Sequence, residues 1–251
     1  MDPIVQQATA TLLVSLRIAP TLAFAQPFTL IRVPAIVRLM LSIALAAWLV
    51  AGNPGATWRA PVWQQGFPVL AVGELLLGIA LALALQLAFA ALLVAGRTID
   101  IQAGYGLAVL VDPSLRSQMP LIGTVFAYAA GAVFFATDGP AKLLAIWAGS
   151  LERAPLGSAF AATRPDVLIG YVSAVFLLAF GLAGLVMLVL FLADLAVALM
   201  SRTLPQMNVL LLGFQVKTLA TLAMLPVALA LSGALFATIV AYALDTMAEG
   251  V

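Results

Sequence analysis

Two long uncharged apolar runs near the C-terminus constrain the fold of this chain most strongly. Val167–Ala193 and Thr218–Leu244 each contain 27 residues and no charged side chain. Because about 20 residues are enough for a helix to cross a bilayer, each run can span one. A polar stretch with two cations and no acid, residues 201–217, lies between them. The pattern predicts a hairpin of two long apolar helices with a basic tip at 201–217.

The composition excludes several functional classes. The chain has 251 residues, of which 65% are hydrophobic and 8% charged, whereas a soluble domain carries about 25% charged residues. Most of its surface must therefore face lipid or other apolar protein. The net charge of +1 leaves no basic stripe for phosphates, so no nucleic-acid partner is expected.

Enzymatic chemistry is not expected either. The chain contains no cysteine and no histidine, which removes thiolate nucleophiles, the commonest metal ligand and the usual general base. No phosphate-binding glycine loop, serine elbow or metal-ligand spacing is present. We predict a protein without a catalytic, cofactor-binding or metal site.

The remaining apolar segments predict an all-α membrane protein. Alanine and leucine dominate and strict alternation is absent, which argues against a β-barrel. We interpret Ile4–Leu30 as a retained helix bent near Pro20 and Pro27, because Arg17 interrupts the apolar region that a signal peptide would need. Further helices are predicted at Val33–Ala51, Phe67–Gly96 and Leu121–Thr137.

Two local features refine this prediction. Lys142–Leu151 has an amphipathic pattern with Trp147 and is interpreted as a helix at a membrane interface. Pro226 lies inside the last apolar run and predicts a kink there, because proline removes a helix hydrogen bond.

Four charged residues lie within or beside apolar runs: Glu74, Arg97, Asp100 and Asp194. A charge at membrane depth costs about 2.5–3.5 kcal/mol or more, so each is a functional candidate. We interpret Asp194 as a helix-end carboxylate near Arg202, and Arg97 with Asp100 as a local salt bridge at i, i+3. Two interpretations of Glu74 stay open: a proton relay, or an ion pair with one cation of the basic block Arg17, Arg32, Arg38 and Arg59.

The unopposed cations Arg202 and Lys217 indicate the orientation of the hairpin. Lysine and arginine near short loops favour the cytoplasmic side. The tip at 201–217 is therefore predicted to face the cytoplasm.

The loop after Gly104 is unusually apolar. Leu107–Val111 follows two glycines and precedes an Asp112-Pro113 turn. Loops normally face water, and irregular backbone at membrane depth is tolerated only where protein covers it or where it lines a cavity. The loop is either packed core or a seal, and these residues alone do not decide between the two.

A family resemblance rests on several short motifs in one order. Ala95–Gly104, Asp112-Pro113 and the series Arg202…Pro205-Gln206-Met207-Asn208-Val209…Gly213…Lys217 resemble signatures of the FliR family. Arg17…Pro20, Pro34…Arg38 and Gly73-Glu74…Gly78 agree with it as well. This is a family of flagellar type III export-gate membrane proteins, and the T component of virulence type III secretion is its relative.

The resemblance implies an architecture and partners. It implies kinked helical hairpins that assemble spirally with FliP-like and FliQ-like subunits beside an FlhB-like protein. Residues 1–160 would resemble a FliP-like unit and 165–247 a FliQ-like hairpin. The assembly would export unfolded flagellar subunits from the bacterial inner membrane, within the flagellar basal body.

The resemblance also implies roles for particular residues. Residues 104–119, which we call the plug segment, would close the channel, although the phenylalanine frequent in the family is replaced by leucine and valine here. Its candidate residues are Gly104, Gly106, Leu107, Val109, Leu110, Asp112, Pro113 and Met119. The tip residues expected to contact the FlhB-like protein or its neighbours are Arg202, Pro205, Gln206, Asn208 and Lys217.

Three alternatives remain. The chain could serve a virulence system instead of a flagellum. It could be a secondary transporter that uses Glu74 and Asp194 as coupling carboxylates, which predicts an internal repeat that the sequence does not display. An intramembrane enzyme is disfavoured by the missing catalytic residues.

Overall fold

The computed structural model describes residues 3–57, 66–105, 120–158, 165–203 and 208–249. These ranges contain helices and no strand, which confirms the predicted all-α class. In chain order the helices are α1 (Pro3–Phe24), α2 (Ala35–Gly52), the single turn α3 (Pro54–Thr57), α4 (Phe67–Ala103), α5 (Leu121–Ala136), α6 (Gly139–Arg153), α7 (Pro165–Thr203), α8 (Val209–Leu231) and α9 (Gly233–Glu249).

Four of these helices are long and apolar enough to cross a membrane. The segments are Ala35–Gly52, Phe67–Ala103, Ile169–Thr203 and Leu211–Leu231, and α5 with α6 forms a further apolar pair bent by 73°. At 1.5 Å per residue α4 and α7 are roughly 55–60 Å long, about twice the 30 Å hydrocarbon core of a bilayer. Both must therefore tilt or extend beyond that core.

Helix α4 is the centre of the fold. It packs against α1 on one side and against α5, α7 and α9 on others. Small residues permit the closest approaches, since a Cβ on Gly96 of α4 would overlap the backbone of Gly123 in α5. In an apolar medium such close backbone packing is a main source of helix association.

Turn residues end α2 and α5 close to the predicted ends at Ala51 and Thr137, whereas α4 continues past its predicted end at Gly96 to Ala103. Asn53 ends α2 before Pro54, and Asp138 takes a left-handed φ of 57° between α5 and α6. Gly104 ends α4 with φ 88°. The amides of Gly104 and Tyr105 donate back to the carbonyls of Ile101 and Asp100, at 3.1 and 2.9 Å, as in a Schellman motif.

Several predicted boundaries are wrong. Helix α1 ends at Phe24, so it does not continue past Pro27, although Pro20 is accommodated inside it. The run Thr218–Leu244 is divided between α8 and α9 at Ser232–Gly233, whereas Pro226 lies inside α8. Serine and glycine have low helix propensity, so α8 ends at this pair, although the length of the apolar run predicted one continuous helix.

The amphipathic segment Lys142–Leu151 lies within α6 as a helix, but its apolar face points inward. Leu143, Trp147 and Leu151 are buried, and α6 packs against α9. Trp147 therefore belongs to the protein core and does not face a membrane interface.

Helices α7 and α8 form the predicted hairpin, with different limits at its tip. Helix α7 continues to Thr203 and α8 begins at Val209. Lys217 lies more than two turns inside α8, so it is not a tip residue. The outer faces of both helices expose large apolar side chains, among them Leu177, Leu188, Phe191, Leu219 and Leu222.

Candidate functional site

The most deeply buried charges form an ion pair between α1 and α4. Arg17 and Glu74 have fully buried side chains, and Nη2 of Arg17 lies 2.6 Å from Oε2 of Glu74. Nε of Arg17 donates to the same oxygen at 2.7 Å. Burying unpaired charges would be very costly, whereas a close hydrogen-bonded pair offsets that cost. Of the two open interpretations of Glu74, the geometry supports the interhelical ion pair.

Arg17 also binds the C-terminal end of α6. Its Nη1 donates to the carbonyl and hydroxyl oxygens of Ser150, at 2.9 and 3.2 Å. Its Nη2 donates to the carbonyl of Ala154 at 2.9 Å. A guanidinium has five N–H groups in a fixed fork, and these contacts provide five acceptor interactions. We call Arg17, Glu74, Ser150 and Ala154 the buried arginine network.

Close helix approach allows this network to form. A Cβ on Gly78 would lie 2.5 Å from the carbonyl oxygen of Arg17, so only glycine fits at this crossing of α1 and α4. On the other side of the network, the amide of Gly157 donates to Oε1 of Glu74 at 3.4 Å. Three helices and the chain after α6 therefore meet at one ion pair.

A second ion pair joins α7 to α8. Nζ of Lys217 lies 2.6 Å from Oδ1 of Asp194, with side chains 21% and 43% exposed. The same ammonium donates to the backbone carbonyl of Gln102 in α4 at 3.1 Å. We call Asp194, Lys217 and the Gln102 carbonyl the hairpin contact. The predicted pairing of Asp194 with Arg202 is wrong, because α7 continues past Asp194 and α8 brings Lys217 beside it.

The hairpin contact lies at the beginning of the plug segment. Nε2 of Gln102 donates to the carbonyl of Met187 in α7 at 3.2 Å. A Cβ on Gly104 would meet the ring of Phe214 in α8 at 3.3 Å. The last turn of α4 is thus held from α7 and from α8 immediately before the chain enters residues 106–119.

Two further cations also donate to carbonyls at the C-terminal end of a neighbouring helix. Arg38 of α2 donates to the carbonyl of Ala23 at the end of α1, at 2.8 Å. Arg153 donates to the carbonyl of Ala248 at the end of α9. With Arg17 at α6 and Lys217 at α4, four cations bind the last turn of a helix other than their own. The C-terminus of a helix has unpaired carbonyls and a partial negative charge, and apolar surroundings offer no water to bind those carbonyls. A cation from a neighbouring helix therefore stabilises such an end.

The predicted Arg97–Asp100 salt bridge does not form. Asp100 is buried and its Oδ1 accepts the amide N–H of Ile122, at 3.2 Å, while Arg97 is exposed. Asp100 therefore binds the N-terminal end of α5, where unpaired amides favour a carboxylate. The i, i+3 spacing alone could not reveal that α5 begins beside it.

Some of the other predicted site residues lie within the ranges that the structure describes, and the rest lie outside them. Arg202 lies exposed in the last turn of α7. Asn208 accepts the amide of Leu211 at 3.2 Å, so it caps the N-terminus of α8. The positions outside the described residues are Gly106, Leu107, Val109, Leu110, Asp112, Pro113, Met119, Pro205 and Gln206.

Sequence reasoning named Arg17 only as one of four possible partners of Glu74, and it missed the other partners in both clusters. The carbonyls of Ser150 and Gln102 carry no sequence signal, because they belong to the backbone, and the Ser150 hydroxyl adds a longer contact to Arg17. Within the described ranges no group of three or more acidic residues could hold a metal ion, and the Ser150 hydroxyl of the buried arginine network donates to the carbonyl of Trp147 at 2.7 Å. The chemistry of the two clusters is to fix helices against one another.

Comparison with known proteins places this fold in a family. Bacterial export proteins, family 1, match the chain over residues 8–243, which is nearly its whole length. The chain belongs to this family of export proteins. The motifs that carry the resemblance therefore lie in a chain that matches the family from α1 to α9.

Similar proteins are named for flagellar biosynthesis or for the translocation of Yop proteins. The flagellar biosynthetic protein FliR of Bacillus subtilis is 29% identical over 98% of this chain and 96% of its own length. FliR of Escherichia coli is 31% identical over 70% of this chain and 66% of its own. The Yop proteins translocation protein T of Yersinia pestis is 30% identical over 58% and 57%. The chain is a member of a bacterial export-protein family, with several helices long and apolar enough to cross a membrane.

Proposed function

We propose that this protein is a structural and gating subunit of the flagellar type III export channel in the bacterial inner membrane, within the basal body. It assembles with FliP-like and FliQ-like subunits beside an FlhB-like protein, and unfolded flagellar subunits pass through the assembly. The observation that carries the proposal is similarity to a flagellar FliR over 98% of the chain.

The exposed apolar faces support a role in an assembly. Only 11% of the Leu211–Leu231 window is buried within the chain, against 56% for Phe67–Ala103. Leu219 and Leu222 are 69% and 57% exposed. Lipid can cover such faces, but neighbouring FliQ-like helices would cover them equally well and would give the hairpin its place in a spiral.

The plug segment supplies the gating part of the proposal. It begins where α4 ends at Gly104, and its apolar residues Leu107, Val109 and Leu110 would close against neighbouring subunits. A pore wide enough for a polypeptide leaks ions unless an apolar constriction excludes water. Burying about 200 Å² of apolar surface would give about 5 kcal/mol at 25 cal/mol per Å², enough to hold a closed state that export can open.

Assembly is tested by purification in mild detergent. A tagged copy of the chain should bring down FliP-like and FliQ-like proteins in molar excess, and it should restore swimming to a flagellated bacterium that lacks its own FliR. A monomer that is stable alone and binds a small solute would instead support the transporter. Glu74 argues against that alternative, because Arg17 and Gly157 already occupy its oxygens.

Gating is tested by replacing Leu107, Val109 and Leu110 with serine, which keeps the length of the segment. The assembled complex should leak small ions or dyes across the membrane, because the apolar closure is lost. Serine substitutions at Leu219 and Leu222, on the exposed outer face of α8, serve as the control and should not raise the leak. An unchanged leak in the triple serine variant would contradict the plug role and leave the export assignment in place.

The hairpin tip is proposed to contact the FlhB-like protein. Replacing residues 205–208 with alanine should reduce export and crosslinking to that protein. Full swimming with normal crosslinking would count against the contact.

A role in a virulence system is the alternative, which the shorter similarity to protein T allows. Restoration of secretion in such a system, without restoration of swimming, would favour that alternative.

A further inference from the structure

Within the described residues, no amide at the end of α4 satisfies the carbonyl of Gln102. The amides of Gly104 and Tyr105 bind the carbonyls of Ile101 and Asp100, which leaves the next carbonyl, that of Gln102, for another donor. Lys217 supplies that donor from α8 at 3.1 Å. A helix end in apolar surroundings is thus completed by a residue 115 positions away in sequence.

We propose that Lys217 is a positioning residue: its ammonium fastens the end of α4 to the α7–α8 hairpin and so fixes Gly104 relative to that hairpin. The ammonium is held by Asp194 of α7 while it donates to α4. Helix α4 and the two helices of the hairpin, α7 and α8, therefore share one cation. The inference concerns helix placement, and only its consequence for export rests on the function proposed above.

The cation must come from α8 for this contact to work. Asp194 has no proton to donate, and its carboxylate would repel the Gln102 carbonyl if it approached directly. An ammonium has three N–H donors and can bind both oxygens at once. Phe214, three residues before Lys217, lies on the same face of α8 and would touch a Cβ on Gly104. One face of α8 therefore holds the helix end in two places.

An uncharged hydrogen bond also supports the junction between α4 and the hairpin. Gln102 donates its side-chain amide to the Met187 carbonyl of α7, which links α4 to α7 without using α8. Without Lys217, the packing of Phe214 near Gly104 would still connect α8 with this end of α4. Asp194 and Lys217 are 43% and 21% exposed, so the fold of the chain does not seal their contact and the junction can open.

Because the chain contains no cysteine, a single introduced cysteine can report whether the end of α4 becomes accessible. Ala103, the last residue of α4, is fully buried, and so is Ala95 two turns earlier. A single cysteine at either position in membranes containing the assembled complex should react slowly with a water-soluble maleimide. Ala103→Cys reports the end of α4, and Ala95→Cys is the matched control within the same helix.

Lys217→Gln should raise the labelling rate of the cysteine at 103 about tenfold, the factor expected when one charge-assisted contact of about 1.4 kcal/mol is lost. Lys217→Arg should keep it near the starting rate, since a guanidinium can bind both oxygens. The exchange Asp194→Lys with Lys217→Asp should not restore protection, because α8 would then present a carboxylate to the Gln102 carbonyl. The cysteine at 95 should stay protected in every variant.

Two results would overturn the proposal. One is unchanged labelling at 103 in Lys217→Gln; the other is full protection in the exchanged pair, which would show that an ion pair between α7 and α8 is sufficient. If Lys217→Gln does not accumulate in membranes, Asp194→Asn provides the milder variant. It keeps the cation but removes its partner on α7, and labelling at 103 should rise about threefold; no rise would equally contradict the role.

Swimming separates this inference from the proposed function. Raised labelling at 103 with reduced swimming supports both. Raised labelling with normal swimming supports the positioning role and shows that export does not depend on it. Reduced swimming with unchanged labelling contradicts the positioning role and leaves the export function intact.

Discussion

Two ion pairs hold this protein together in opposite ways. Arg17 and Glu74 are fully buried and connect α1, α4 and the end of α6. Asp194 and Lys217 are partly exposed and connect the α7–α8 hairpin to the end of α4. In both, a cation completes the C-terminus of a helix to which it does not belong, yet only the second can exchange its partners for water.

The difference teaches how a membrane protein can combine a fixed part with an adjustable one. A buried pair cannot open without leaving a charge in apolar surroundings, which costs several kcal/mol. An exposed pair is worth about 0.2–1 kcal/mol, because water and salt compete for it. The N-terminal helices should therefore behave as one rigid body, and the junction with the hairpin as the place where movement is possible.

The largest effect is expected from breaking the buried arginine network. Arg17→Met leaves the Glu74 carboxylate buried and unpaired, and it removes a donor from the carbonyl of Ala154 and one of two donors from the carbonyl of Ser150. We expect a loss of about 3–5 kcal/mol in the free energy of unfolding, measured by denaturation of the purified chain in detergent. Glu74→Gln should cost less, since Arg17 keeps both carbonyls. Equal losses in the two variants would show that the helix-end contacts contribute nothing.

A smaller effect is expected from the helix crossing that brings the network together. Gly78→Ala places a methyl group 2.5 Å from the carbonyl of Arg17, so α1 and α4 must separate at a cost of about 1–3 kcal/mol. Gly181→Ala is the matched control, because nothing lies within 4 Å of a Cβ there. Its stability in the isolated chain should be unchanged or slightly higher, as alanine favours helix. Equal destabilisation by both would contradict the assigned crossing.

The smallest effect should distinguish the two pairs by salt. Lys217→Gln should lower the free energy of unfolding by about 1 kcal/mol at low ionic strength, and this loss should shrink as salt screens the exposed pair. The loss in Arg17→Met should be insensitive to salt, because the pair is buried. Denaturation at two salt concentrations measures both. A salt-independent loss in Lys217→Gln would mean that the carbonyl contact, and not the pair with Asp194, carries its contribution.

The predicted orientation of the hairpin in the membrane depends on the same contacts. The cytoplasmic orientation of the tip was predicted from Arg202 and Lys217 as unopposed cations, but Asp194 opposes Lys217 in the fold. Of the two, only Arg202 lies at the hairpin tip. The orientation stays a prediction that now rests on a single described cation near the tip.

The sequence by itself determined that this is an all-helical membrane protein of an export family, with helix ends near Ala51 and Thr137 and a loop after Gly104. Apolar length and turn chemistry are local properties, so they can be read along the chain. Only the tertiary structure decided which charges meet. Lys217 reaches Gln102, and Arg17 reaches Ser150, because helices cross where backbone packing permits, and the carbonyls that receive these cations have no side-chain identity that a sequence could display.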